Sequence, residues 1–182
     1  MTHSHSISRT LSRLASPERY LFTLGDLSSL VPGHSLSAFK TLINRLAADG
    51  TLERVCKGLY LYPGVSYPRD LVLYHAAARL RANAFCYLSL ESVLSDAGVI
   101  SQIPMQWITL MTSGRSGCIR CGSFGTIEFI HTRKQADRVA PELSYDLRIR
   151  LWRASVKQAM ADMKDTRRNQ DLIDQEALHE LV

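Results

Sequence analysis

Pro32-Gly33 lies between two short helical patterns, and a pair that must reverse the chain at that point constrains the fold more than any other feature of the sequence. Before it, Thr23-Leu24-Gly25-Asp26 has the form of a capping box, a hydroxyl acceptor with an acid three residues on. A helix through Leu27, Leu30 and Val31 follows. After it, Ser35 or its neighbour is placed to cap a helix whose apolar residues Phe39, Leu42, Ile43 and Leu46 fall on one face, with Gly50 as its stop. Upstream, Ile7, Leu11 and Leu14 mark a first helix ended by Ser16-Pro17, and Tyr20 to Phe22 reads as a brief strand. Downstream, two β-prone runs between Leu52 and Tyr62 meet at Lys57-Gly58, where glycine allows the turn. Helix, strand, helix, turn, helix and basic-tipped hairpin is the order of a winged helix-turn-helix.

The residue types on the third helix suit a groove reader. Opposite its apolar stripe stand Ser37, Lys40, Thr41, Asn44 and Arg45, with Ser35 at its start and Arg54 and Lys57 in the hairpin. Arginine and lysine reach guanine O6 and N7, asparagine pairs with adenine, and hydroxyls bond phosphate oxygens. The bland reading is a solvated face on an ordinary surface helix. It accounts for neither the tight turn before the helix nor the hairpin after it.

Charge agrees with a polyanionic partner without requiring one. The chain has 22 Lys plus Arg against 17 Asp plus Glu, a net +5, and the surplus lies in the first two thirds. With 182 residues, division into a DNA-binding domain over 1–64 and an α+β domain over 65–182 is expected. The longest apolar runs, such as Gln106 to Met111, fall far short of the ~20 residues of a membrane-spanning helix, and the N-terminus lacks a hydrophobic signal region. A cytoplasmic protein with reduced cysteines and no membrane partner is therefore expected.

In the second segment Pro68 suits the first turn of a helix through Leu71, Tyr74 and Ala78. Phe85 to Leu88 reads as a strand, and Ser89 as the cap of a helix that ends at Gly98. Trp107 to Met111 and Gly125 to Ile130 are β-rich, separated by a glycine-rich stretch with room for one hairpin strand. From Ser144 onward, Leu147, Leu151, Ala154 and Met160 suggest a return to helix, and the acidic tail from Asp162 reads as a fraying end. The fold class is thus α+β, a winged helix-turn-helix followed by a mixed domain with a small central sheet and terminal helices.

The runs YLSLESVLSDAGVI, ITLMTSGRSG and FGTIEFIHT together resemble the AbiEi family, antitoxins of type IV toxin-antitoxin and abortive-infection systems. The resemblance covers roughly Arg9 to Lys134. It implies a phage-defence antitoxin that represses its own operon by binding inverted repeats in double-stranded promoter DNA. It also implies a nucleotidyltransferase-like toxin as functional partner, with no stable complex required. DNA contacts would come from Ser35, Ser37, Lys40, Thr41, Asn44, Arg45, Arg54 and Lys57. An antitoxin surface would include Glu91, Ser92, Thr112, Arg115 and Ser116. Beyond Lys134 the chain departs from the family pattern.

Two other readings compete. One is a plain winged-helix regulator whose second domain takes an effector or a protein, and the other is a nucleic-acid enzyme. Ser113 or Ser116 with His131, or Glu91 with Glu128 as metal ligands, would be the enzyme's residues, but no nucleophile elbow or phosphate-cradling loop accompanies them. Cys118 and Cys121 have the spacing of half a zinc site and lack a second pair. No catalytic residue, metal or cofactor is expected.

Overall fold

The capping box at Thr23 closes in both directions. Thr23 Oγ1 accepts from the Asp26 backbone N–H at 3.1 Å, and the Thr23 N–H donates to the Asp26 carboxylate at 2.7 Å. In this computed structural model, which describes residues 3–100, 106–171 and 173–181, that box opens the helix α2, Leu24–Ser29. It follows α1, His3–Leu14, and a short strand β1, Leu21–Thr23. Ser35 caps α3, Leu36–Ala48, by accepting from Ala38 N–H at 3.3 Å. The hairpin of β2, Glu53–Cys56, and β3, Leu59–Leu61, turns at Lys57-Gly58, where Gly58 has φ +85°. Strand β3 is central, with β1 antiparallel on one side and β2 on the other.

The apolar faces of all three helices meet this small sheet. Ile7, Leu11, Phe22, Leu27, Phe39, Leu42, Ile43, Leu46, Leu52 and Tyr60 form one buried cluster. A fully buried aliphatic side chain contributes roughly 1.5–3 kcal/mol, so burial alone can hold a unit that has no disulfide among its described residues. Leu14, expected in the stripe of α1, is instead 37% exposed. The helix ends there, and the chain turns back through a bridge between Ser16 and Arg19.

The chain divides into two compact units, Met1–Val72 and Leu73–Val182. The division falls at the start of helix α4, Val72–Leu80, rather than after Gly64. The second unit continues with β4, Cys86–Leu88; α5, Leu90–Asp96; β5, Trp107–Thr112; β6, Gly117–Arg120; and β7, Thr126–His131. It closes with α6, Ala136–Val139; β8, Leu143–Asp146; β9, Leu151–Ala154; α7, Val156–Asp165; and α8, Gln175–Leu181. The six strands lie in the order β6-β7-β5-β4-β9-β8. The β5–β7 and β4–β9 pairs are parallel and the others antiparallel. The architecture is mixed α+β.

The sheet is larger than expected because residues 144–154, read as helix, belong to the hairpin of β8 and β9. Leu147, Leu151 and Ala154 have helical spacing, but Asp146 captures the backbone: its Oδ1 accepts from Arg148 N–H at 2.8 Å and from Ile149 N–H at 3.4 Å. That local turn competes with a helix and wins, leaving Leu147 at its tip 82% exposed. The helix begins only after Ser155, whose Oγ accepts from Gln158 N–H at 3.1 Å.

Candidate nucleic-acid interface

The eight residues expected to meet DNA all lie in the first unit and are exposed. They do not all present free groups. Ser35 Oγ serves the helix cap, and Thr41 Oγ1 donates to the Ser37 carbonyl at 3.0 Å. Arg54 Nε donates to the Cys56 carbonyl at 3.4 Å, which leaves the two terminal nitrogens of its guanidinium for other partners. The Lys40, Asn44 and Lys57 side chains make no hydrogen bond or ion pair among the described residues. Arg45 stands near Asp49, whose carboxyl is held below its ordinary value first by hydrogen bonds from Thr51 and then by that guanidinium. Leu36, in the first turn of α3, is 70% exposed beside these polar groups. The unit therefore carries one helix of about 20 Å with uncommitted cationic and amide donors, and a separate lysine at a hairpin tip.

In the second unit the expected antitoxin residues divide. Ser92 and Thr112 are buried and cannot belong to a surface. Ser92 Oγ accepts from Thr109 N–H at 2.8 Å, tying α5 to β5. Thr112 Oγ1 donates to the Phe85 carbonyl at 3.2 Å and accepts from Gly114 N–H at 3.0 Å. Both hydroxyls are spent on the fold because Ser92 lies on the sheet-facing side of α5 and Thr112 ends β5 beneath the turn. Arg115 and Ser116 are exposed on that turn, where Ser116 Oγ accepts from His131 N–H at 2.8 Å. Glu91 is paired with Arg168, whose two terminal nitrogens also hold Glu128 at 3.1 and 3.0 Å. The two glutamates that could have ligated a metal are thus joined by a guanidinium. Cys118 is exposed on β6, and Cys121 is buried.

Two features lay outside the sequence reading. Asp162, taken as the start of a fraying tail, is fully buried. It accepts from Ser89 Oγ at 2.7 Å, Lys134 Nζ at 2.8 Å, Gln158 Nε2 at 2.8 Å and Tyr87 Oη at 3.3 Å. Ser89 therefore occupies the cap position of α5 while its hydroxyl serves Asp162. Burial, and then the Asp162 carboxylate, hold the Tyr87 phenol above its ordinary range. Burial alone would lower the Lys134 ammonium, but its bonds to Asp162 and Asp165 outweigh that and raise it. The available signal was Gln158 and Asp162, polar residues four apart on the stripe shared with Ala159 and Met163. The second feature is a pocket of about 500 Å³ lined by His131, Arg133, Lys134, Gln135, Arg138 and Asp165 among others.

These observations define a two-unit α+β protein with an exposed cationic helix and hairpin in its first unit. No family model matches the chain, and no curated protein does. Among solved structures it is similar to the crystal structure of RV2827C protein from Mycobacterium tuberculosis, at 19% identity and a TM-score of 0.47. The match covers 81% of this chain and 52% of the other, so the chain spans about half the length of that protein. Among the described residues, no helix is long and apolar enough to cross a membrane.

Proposed function

We propose that this protein is an autorepressing antitoxin of the AbiEi kind, with a winged helix-turn-helix in its first unit that binds inverted repeats in its own promoter. The observation that carries the reading is the free donor face of α3, Lys40 and Asn44, together with the free Lys57 ammonium at the hairpin tip. Lysines in such places neutralise phosphates, and asparagine suits a base edge in the major groove. The second unit opposes a nucleotidyltransferase-like toxin without a stable complex, and the exposed Arg115 turn is its presented surface. Ser92 and Thr112 support that turn and α5 from within.

The test is a salt titration of full-length protein on its upstream promoter DNA. Lys40→Ala and Lys57→Ala should each lower affinity on all sequences and reduce the salt slope by roughly one unit per lost phosphate contact. Asn44→Ala should cost about 1–3 kcal/mol on the specific site and little on random DNA. Unchanged salt slopes in both lysine variants would remove α3 and the hairpin from the docking surface.

A further inference from the structure

The second unit contains a pocket that neither the DNA-binding face nor the antitoxin turn uses. Strands β5 and β7 run parallel and finish side by side at Thr112 and His131. In open sheets with parallel strands, ligands settle beyond the carboxyl ends of the strands, where the following loops separate. Here the end of β7 supplies His131, the segment after it Thr132, Arg133, Lys134 and Gln135, and α6 Arg138 to a concavity of about 500 Å³, with Met111 of β5 also in its wall. That volume lies within the range of small-molecule sites.

The hydrogen bonds inside the pocket show which groups are already committed. Lys134 is engaged by Asp162 at 2.8 Å and Asp165 at 2.7 Å, so it balances the acid nearest to it. Thr166 Oγ1 donates to the Asp162 carbonyl at 2.7 Å, and Thr132 Oγ1 accepts from Lys134 N–H at 3.1 Å. His131 Nδ1 lies 2.8 Å from the Gly114 carbonyl, so Nδ1 carries the proton and Nε2 is left for another partner. The Arg133 and Arg138 guanidinium groups and the Gln135 amide have no partner among the described residues. Two unpaired, exposed guanidinium groups and an amide donor line one concavity, and arginine binds phosphoryl oxygens bidentately.

We infer that this pocket binds a small metabolite bearing a phosphate chain, a nucleoside diphosphate being the probe of choice, with Arg133 and Arg138 holding the phosphates. A nucleic-acid strand fits less well. Arg133 and Arg138 share a pocket with Asp165 in its wall and Asp137 next to Arg138 in α6, so phosphates continuing outward past them would meet carboxylates.

The experiment is calorimetric titration of the full-length protein with ADP, and separately with pyrophosphate. Saturable binding of ADP at one site per chain is expected, weakened roughly tenfold or more in Arg133→Ala/Arg138→Ala. The Arg133→Lys/Arg138→Lys pair should recover part of it, which separates loss of charge from loss of fold, and Lys40→Ala should leave it unchanged. Equal binding of pyrophosphate would assign recognition to the phosphates alone, and tighter ADP binding would add the nucleoside; either supports the site. Absence of saturable ADP binding, undiminished binding in the double alanine variant, or capture through these arginines of a 5′-phosphorylated single-stranded oligonucleotide but not ADP would overturn it. The result is independent of promoter binding, which is measured on the other unit's residues.

Discussion

Removing the carboxylate of Asp162 is the sharpest perturbation available to the second unit. Four donors converge on this fully buried group, three of them within 2.8 Å. Asp162→Ala leaves the Ser89 hydroxyl and the Gln158 amide buried without an acceptor, at about 1–3 kcal/mol each. Lys134 loses less, because its side chain is 27% exposed and it keeps Asp165. The Tyr87 bond, at 3.3 Å, is the longest and adds least. Together these place the loss at roughly 3–5 kcal/mol, the range for breaking a buried charge pair from one side. Asp162→Asn keeps the volume and one acceptor oxygen and should lose less. Both tryptophans, Trp107 and Trp152, lie in the second unit, so urea unfolding followed by their fluorescence reports this unit. A midpoint shift worth under about 1 kcal/mol for the alanine variant, at an unchanged slope, would show that the cluster is decoration on a fold held by its apolar core.

Two further outcomes follow from the same unit. Burial pushes the Cys86 thiol from its ordinary 9.0 up to about 12, only partly offset by Arg81 and Thr112. The folded state holds that proton more tightly than the unfolded chain, so its contribution is complete below pH 9.0 and is lost as the pH rises toward 12. The melting-temperature gap between wild type and Cys86→Ala should therefore narrow between about pH 9 and 11, and a constant gap would contradict the burial argument. Gly125 has φ +121°, and a Cβ there would lie 2.0 Å from the Gln106 carbonyl. Gly125→Ala should cost roughly 1–3 kcal/mol from backbone strain before the clash is counted, whereas Gly117→Ala, with open space around it, should unfold near the wild-type urea midpoint.

The first unit was legible because its signals are local. The Thr23 box, the Ser35 cap, the reversal at Pro32-Gly33 and the Lys57-Gly58 turn each act within a few residues, and the apolar spacing between them admits few arrangements. In the second unit the informative interactions are distant in sequence. Asp162 meets Ser89 and Tyr87 more than seventy residues away, and Arg168 joins Glu91 and Glu128 across gaps of 77 and 40 residues. No spacing rule brings such residues together. Residues 147–154 misled for a different reason: a helical spacing of apolar residues was present, but the side chain of Asp146 decided the local backbone. The candidate interface followed the same division. An exposed lysine on a capped helix and another at a hairpin tip could be read directly, while the burial of Ser92 and Thr112 depended on where α5 and β5 met.

The parallel pairing of β4 with β9 has a consequence for synthesis. Tyr87 and Leu88 wait for Trp152 and Arg153, and the buried carboxylate that seals the arrangement arrives later still, at Asp162. The first unit needs nothing beyond Val72 to complete its own sheet and core. On a ribosome adding about 5–20 residues each second, the second unit therefore trails the first by on the order of ten seconds. During that interval β4 and β5 exist as an unfinished sheet edge, open to a chaperone or to a neighbouring nascent chain. Protease protection of arrested chains would read out the order, with the first unit resistant while the second is still being cut.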